Sequence, residues 1–227
     1  PSGINYEEIY VPQRMEKFRH TIKKLLNVHP TGRRLLDIGA ATGEFAKTAH
    51  EYGLEAYGVE FSEYAVSRAR ELYSLQLWRG TLSDVPPEER FDFIHLNHVF
   101  EHLVDPSSEL LEIKKRLQPN GWLYIEVPFQ FHPIERLKYF MTSRSSGPFS
   151  FYSLHHPYFY TPATLQRILY RYGFKVMAIS CFDWYRYSGV SFPSQFKRLA
   201  WFYSNLLFGF GNWIEVFAKV ELQQVRR

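Results

Sequence analysis

Cysteine is almost absent from this chain of 227 residues, which contains only Cys181. A single cysteine cannot form an intrachain disulfide, so the class of small secreted domains stapled by disulfides is excluded, and a reducing compartment is favoured. The first residues also lack the basic flank and apolar stretch that are typical of a secretory signal peptide. We therefore expect a cytoplasmic protein.

Long apolar runs and long runs of basic residues are lacking too. The most membrane-like window, 199–214, contains Ser204, Asn205 and Asn212 and is too short to span a bilayer comfortably. We predict no transmembrane span, while a contact with a membrane surface stays open. The net charge of +4 arises from scattered basic pairs, which disfavours a nucleic-acid partner. Nothing in the sequence indicates the oligomeric state.

Aromatic residues are abundant by contrast, with 20 Phe, 16 Tyr and 5 Trp. This is more than packing alone usually requires, so we expect some of them to line a ligand site. The length favours one globular unit over two independent domains.

Short apolar runs alternate with amphipathic helical patterns along most of the chain. The predicted strands are 35–38, 56–59, 75–78, 91–96, 122–127, 174–182 and 213–220, and the predicted helices are 14–27, 44–52, 63–72, 106–117 and 161–173. Such alternation is typical of a doubly wound, Rossmann-like α/β sheet. We divide the single domain into a helical segment 1–33, a cofactor-binding core 34–128 and a remainder 129–227, with lid insertions at 129–160 and 183–211.

A turn of small residues follows the first predicted strand and leads into a helix. Gly39 and Ala40 open this turn and Gly43 closes it. Glycine permits the tight turn and the close approach of a ligand to the backbone. Glu60 ends the next strand, 21 residues after Gly39. At this separation along the sequence, a carboxylate accepts hydrogen bonds from the ribose hydroxyls of a bound nucleotide. The pattern predicts a cofactor that contains a nucleoside.

Two acidic residues narrow the kind of cofactor. A dinucleotide fingerprint starting at Gly39 would need a small residue at position 44, where Glu44 would face the pyrophosphate, so NAD is disfavoured. Asp37, two residues before Gly39, suits a cofactor with a cationic ammonium or sulfonium group, because its carboxylate can hold the loop or balance that charge.

On these residues the chain resembles the class I S-adenosylmethionine-dependent methyltransferases, strongly over 35–127 and more weakly over 158–176. The segments that carry the resemblance are 37–43, Glu60, 80–82, 91–102 and 117–121. The resemblance implies a seven-stranded sheet, mostly parallel with an antiparallel last strand, and S-adenosylmethionine as the cofactor.

The resemblance also implies which residues bind the cofactor. The loop from Gly39 to Gly43 would face the methionine part, Glu60 the ribose, Thr81 and Leu82 the adenine, and Asn97 the amino-acid end. The full expected set is Asp37, Gly39, Ala40, Gly43, Glu60, Phe61, Thr81, Leu82, Asn97 and His98. Thr81 stands where the family often has Asp, which leaves adenine recognition more to backbone groups.

Transfer of a methyl group to oxygen or nitrogen requires alignment of the acceptor and removal of a proton. The candidate catalytic residues are His98, Glu101 and His102, which one helical turn would bring to one face, and the distant His156. This pattern is similar to the Glu-x-x-Glu-His and later His of metal-dependent O-methyltransferases. Three alternatives stay open here: a divalent metal site, a histidine base without metal, and structural hydrogen bonding.

We therefore predict a methyltransferase that acts on a small-molecule acceptor at an oxygen atom. The alternatives are methylation of RNA or another macromolecule, and a non-catalytic protein that only binds the cofactor. His95 lies inside a predicted strand and is expected to be a core histidine.

Overall fold

The structure is a computed structural model that describes residues 6–129, 157–182 and 211–221, with the side chains of the first range described from Arg14 onward. Its elements in chain order are α1 (Tyr6–Val28), β1 (Arg34–Ile38), α2 (Glu44–Glu51), β2 (Glu55–Glu60), α3 (Glu63–Tyr73), β3 (Trp78–Arg79), β4 (Phe91–Asn97), α4 (Pro106–Arg116), β5 (Leu117–Pro128), α5 (Pro162–Arg171), β6 (Phe174–Phe182) and β7 (Trp213–Val220). Short 3-10 turns span Leu82–Asp84 and Phe100–His102.

The seven strands form one sheet in the order β3-β2-β1-β4-β5-β7-β6. Strands β1 to β5 pair in parallel, and β7 pairs antiparallel with both of its neighbours. The carboxyl ends of the parallel strands meet at one edge, where open α/β sheets bind their ligands. The predicted fold class is confirmed.

Two apolar layers cover the two faces of the sheet. On one face, Phe18 and Ile22 of α1 and Phe45 of α2 pack with Leu35 and Phe93 of the strands. On the other face, side chains of α4 and α5 pack against alternate residues of the same strands: Leu110, Ile113, Leu165, Leu169, Leu36, Ile94 and Leu123. Because both faces are covered, the central strands β1 and β4 bury side chains at successive positions instead of alternate ones.

Local capping explains where the helices begin. Asp105 accepts hydrogen bonds from the backbone N–H groups of Ser107 and Ser108, and Pro106 occupies the first turn of α4. Thr161 and Pro162 start α5 in the same way. These are preferred residues at helix N-termini, and both starts are legible in the sequence.

Element bounds agree with the sequence for β6 and β7 and differ elsewhere. The expected strand at 75–78 is wrong at its start, since β3 begins at Trp78 while Leu75 packs beside the helices. Helix α1 begins eight residues before the predicted Arg14, and β5 begins at Leu117, which pairs with Phe91 before a bulge.

The division into segments 1–33, 34–128 and 129–227 stays a prediction, and most of the two lid insertions lies outside the described residues. In the described part of the chain, no helix combines the length and the apolar character needed to cross a bilayer.

Candidate active site

The glycine loop follows β1 at the ligand-binding edge of the sheet. Three of its five residues have left-handed backbone conformations: Gly39 (φ +72°), Ala41 (φ +48°) and Gly43 (φ +85°). The N–H groups of Gly39 and Ala40 both donate to the carbonyl of Val59, at 2.9 and 3.1 Å. A Cβ atom at Gly39 would clash with the side chain of Val99. The loop therefore presents backbone where a side chain cannot fit.

Glu60 lies at the end of β2 and reaches across to this loop. Its Oε2 accepts from the N–H of Ala41 at 2.9 Å, and its Oε1 accepts from the N–H of Ser62 at 2.8 Å. Each carboxylate oxygen has a second lone-pair site, so both can still accept from a ligand hydroxyl. The neighbouring Phe61 ring is 79% exposed and offers an apolar surface beside the carboxylate.

Thr81 and Leu82 follow β3, next to Glu60. Leu82 is fully buried in the core. The backbone N–H and the hydroxyl of Thr81 both donate to Asp84 Oδ2, at 2.8 and 3.1 Å. The polar groups of Thr81 are thus used within its own turn, and its expected part in adenine recognition stays a prediction.

Asp37 turns into the sheet rather than toward the open edge. Its Oδ1 lies 2.7 Å from Nδ1 of His95 on the neighbouring strand, and both side chains are buried. His95 stacks on Phe45, with ring centroids 3.5 Å apart. Burial raises the pKa of Asp37, although the adjacent imidazole opposes the shift. The expectation that His95 is a core histidine is confirmed, and Asp37 braces the strand below the glycine loop.

His98 follows β4 in a left-handed conformation, with φ +56°. Its Nδ1 lies 3.3 Å from Glu101 Oε1, and its Nε2 lies 3.2 Å from Glu126 Oε1. Burial opposes protonation, but the two carboxylates outweigh it and raise the pKa of His98. The Trp213 ring packs edge-on against the imidazole at 4.4 Å.

The backbone of 98–102 is not the helical turn that the sequence predicted, because a left-handed residue and a 3-10 turn replace it. The three candidate side chains nevertheless meet at Glu101. Its Oε1 lies 3.3 Å from His98 Nδ1 and 3.9 Å from His102 Nε2. The fourth candidate, His156, lies outside the described residues.

Lys17 and Glu126 belong to this cluster and were missed by the sequence analysis. Lys17 of α1 is 3% exposed, forms an ion pair with the fully buried Glu126, and lies 3.1 Å from Asn97 Oδ1. Tyr124 donates to Glu126 Oε2 at 3.0 Å. Burial opposes ionisation of Glu126, but Lys17 and His98 outweigh it and lower its pKa to about 2. The available signal was the lone acidic residue inside the apolar run 122–127.

A second contact joins α1 to the glycine loop. Arg14 and the Thr42 hydroxyl both donate to Glu44 Oε1, each at 2.7 Å. The carboxylate that disfavoured a dinucleotide is therefore a link between the loop and α1.

Three buried polar atoms on residues that contact the segment 98–101 or belong to it have no hydrogen-bond partner: Glu101 Oε2, the Tyr160 hydroxyl and Trp213 Nε1. Tyr160 packs on Phe100, with ring centroids 5.2 Å apart. Burial, together with the charges of Tyr158 and Glu101, raises the pKa of Tyr160. Unpaired buried polar atoms are costly, so each of these atoms marks a place where a ligand can supply the missing bond.

The metal hypothesis meets limited support in this geometry. Among residues 6–129, 157–182 and 211–221, no group of three or more His, Cys, Asp or Glu side chains is arranged to hold an ion. A set completed by His156 would involve a residue outside these ranges.

Comparison with known proteins adds three findings. An O-methyltransferase of ubiquinone biosynthesis from Paraburkholderia phymatum is 29% identical over 107 residues, which are 43% of this chain and 45% of that protein. The chain thus spans less than half the length of this curated relative. A SAM-dependent methyltransferase from Archaeoglobus fulgidus superposes with a TM-score of 0.61 at 20% identity, covering 94% of this chain and 97% of that one. Magnesium protoporphyrin IX methyltransferase from Synechocystis PCC 6803, solved with bound SAH, gives 0.63 at 14% identity, covering 98% and 89%.

The structural likenesses establish a shared fold, and the family assignment rests on a longer match. Residues 10–179 fit the family model described as a methyltransferase domain, which is more than half of the chain. Together with the glycine loop and Glu60 at the carboxyl edge of the sheet, this match shows that the chain belongs to the class I S-adenosylmethionine-dependent methyltransferase family.

Proposed function

We propose that this protein transfers the methyl group of S-adenosylmethionine to an oxygen atom of a small-molecule acceptor. The observation that carries the proposal is the meeting of two sites at one sheet edge. The backbone loop at Gly39 and the carboxylate of Glu60 end β1 and β2, and the cluster of His98 and Glu101 follows the adjacent β4. In this proposal, adjacent parallel strands carry the residues for nucleoside binding and those for proton transfer side by side, which supports both roles.

The residues present fit S-adenosylmethionine. Gly39 permits the left-handed turn of the loop beside Val99, Glu60 keeps lone pairs for two ribose hydroxyls, and Phe61 offers a ring for the adenine face. Asn97, held by Lys17, would bind the amino-acid end. When bound, this cofactor supplies a methyl group on a sulfonium, whose departure needs no acid catalyst. The chain's own residues then align the acceptor and remove its proton.

Two lines of support favour an oxygen acceptor. The curated relative from Paraburkholderia is named an O-methyltransferase, and a hydroxyl is the acceptor that the acidic cluster at His98 suits. A neutral hydroxyl is a weak nucleophile until a base takes its proton, whereas a carboxylate or thiolate acceptor needs no base near pH 7.

The proposal is tested in two steps. Calorimetry measures binding of S-adenosylmethionine to the full chain, and transfer of a radiolabelled methyl group is then followed over a panel of catechol, 4-nitrocatechol, substituted phenols and simple glycosides. We expect binding with a Kd of about 1–100 µM and turnover on hydroxylic members of the panel. Failure to bind the cofactor would refute the donor site. Binding without any methylated product would instead favour a regulatory binding protein.

A further inference from the structure

Two buried carboxylates flank the imidazole of His98, and their bonding differs. Glu126 uses both oxygens: Oε1 faces Lys17 and His98, and Oε2 accepts from the Tyr124 hydroxyl. Glu101 directs Oε1 to His98, while its Oε2 is buried and has no partner. Glu101 is 1% exposed, so water in the bulk does not serve this oxygen. Both oxygens of Glu126 thus already accept, whereas Glu101 Oε2 has both acceptor sites open and is the better placed of the two to serve another molecule.

His98, unlike Glu101, has no unused hydrogen-bonding atom on its ring, because both ring nitrogens face carboxylate oxygens. The distances are 3.3 Å from Nδ1 to Glu101 and 3.2 Å from Nε2 to Glu126. An imidazole satisfies two carboxylates at once only when each nitrogen carries a hydrogen, which is the cationic form. In that form no lone pair is available on the ring, so His98 cannot accept a proton from a substrate.

A donor lies in the segment that packs beside Glu101, since the Tyr160 ring contacts Phe100 and the Tyr158 N–H donates to the Glu101 carbonyl at 3.4 Å. The Tyr160 hydroxyl is buried and has no hydrogen-bond partner. A carboxylate oxygen accepts a hydrogen bond and a phenol donates one. A single ligand hydroxyl can therefore donate to Glu101 while it accepts from Tyr160.

We propose that Glu101 Oε2 is the atom that takes the proton of the reacting hydroxyl, and that His98 is a positioning residue that holds Glu101 in place. The inference rests on the proposed function. As the acceptor oxygen bonds to the methyl carbon, the carbon–sulfur bond breaks and its electron pair stays on sulfur, which becomes a neutral thioether. The hydroxyl proton passes to Glu101, whose neutral acid gives it up to water that replaces the methylated product in the site.

This assignment predicts that the effect of replacing Glu101 depends on the acidity of the acceptor. Catechol must lose a proton during the reaction, whereas 4-nitrocatechol is largely ionised near neutral pH, because its nitro group stabilises the anion. We expect Glu101→Gln to lower kcat on catechol by about 10²–10⁴-fold, the usual contribution of a general base, and on 4-nitrocatechol by less than about tenfold.

His98→Gln serves as the discriminating variant and Glu112→Gln as the matched control. Because His98 acts through Glu101, His98→Gln should lower kcat on catechol by a smaller factor than Glu101→Gln does, and it should likewise spare 4-nitrocatechol. Glu112 is paired with Lys115 on α4, outside the site, and its replacement should change neither acceptor. Calorimetry with S-adenosylmethionine and thermal unfolding verify that each variant folds and binds the cofactor like the wild type.

Three outcomes would overturn the assignment. The first is selective loss on catechol in His98→Gln but not in Glu101→Gln, which would make His98 the base. The second is wild-type turnover that collapses with EDTA and returns with Zn²⁺ or Mg²⁺, because a metal would then ionise the hydroxyl. The third is equal loss on both acceptors in Glu101→Gln. Each of these three outcomes is observed with a wild-type enzyme that is active on the panel, and it overturns only the role of Glu101. A wild type that methylates nothing in the panel refutes the proposed function itself.

Discussion

The donor and acceptor sides of the sheet edge hold their functional groups by different means. On the donor side, backbone does the holding: the loop at Gly39 bonds to Val59, and Glu60 bonds to the N–H of Ala41 only 19 positions away. On the acceptor side, buried charges from distant parts of the chain meet, since Lys17 and Glu126 are 109 positions apart. The donor side is thus a local motif, and the acceptor side is a product of tertiary packing.

The largest expected effect tests the donor side. Gly39→Arg should abolish detectable binding of S-adenosylmethionine in calorimetry, because residue 39 has a left-handed backbone and a Cβ there clashes with Val99. Gly53→Ala is the matched control, with φ +79° but open space around its Cβ position. It should lower the free energy of unfolding by about 1 kcal/mol and leave cofactor affinity unchanged. Wild-type affinity in Gly39→Arg would show that the loop does not bind the cofactor.

The next effect tests whether buried charge holds the acceptor side. Lys17→Met should lower the free energy of unfolding by about 3–5 kcal/mol in urea titrations, because Glu126 loses its nearest cation in the core. The double variant Lys17→Met/Glu126→Gln should recover much of this loss. Lys47→Met, which breaks an exposed pair with Glu51, should cost about 0.5 kcal/mol or less. A similar small cost for Lys17→Met would mean that the cluster is not a stabilising unit.

The pH dependence of the free energy of unfolding also tests whether the buried charge of Glu126 stabilises the acceptor side. The folded pKa of Glu126, about 2, lies below its ordinary value of 4.5, so its contribution is present above pH 4.5 and is lost as the pH falls toward 2. The difference corresponds to about 3 kcal/mol. Urea unfolding at about pH 6 and pH 3 should show a smaller acid loss in Glu126→Gln than in the wild type. Parallel curves for the two proteins would contradict this origin of acid sensitivity.

The smallest effect concerns the ribose site. Glu60→Ala should weaken binding of S-adenosylmethionine by about 1–3 kcal/mol, through loss of charge-assisted hydrogen bonds to the ribose and of its bond to Ala41. Glu63→Ala removes a nearby exposed carboxylate that pairs with Arg79, and calorimetry should find its affinity unchanged. Equal affinities for the two variants would remove Glu60 from the cofactor site.

The fold class and the contact of Glu60 with the glycine loop were predictable from the sequence because their signals are local. A strand, a small-residue turn and an acid 21 positions later lie within one stretch of chain, and the structure brings Glu60 to the loop as that spacing requires. The predicted start of β3 was wrong because a short apolar run is ambiguous. Leu75 belongs to an apolar run, and such a run does not distinguish a strand residue from a side chain packed beneath a helix.

Only part of the acceptor side could be predicted from the sequence. His98, Glu101 and His102 stood out by residue type, whereas Lys17 lies in the predicted helix 14–27 and was given no role. Only the packing of α1 on the sheet reveals that this ammonium is buried against Glu126. The open oxygen of Glu101 is likewise a property of three-dimensional bonding, which no spacing in the sequence encodes.

Asp37 and His95 are direct neighbours across β1 and β4, and they join beneath the loop without reaching the open edge. Each supplies what the other lacks, since a buried acid alone or a buried imidazole alone would be left without its bond. We therefore expect natural variants of this protein to change both positions in concert or to keep both. The position of the glycine loop thus depends on a buried pair of side chains in the strands beneath it.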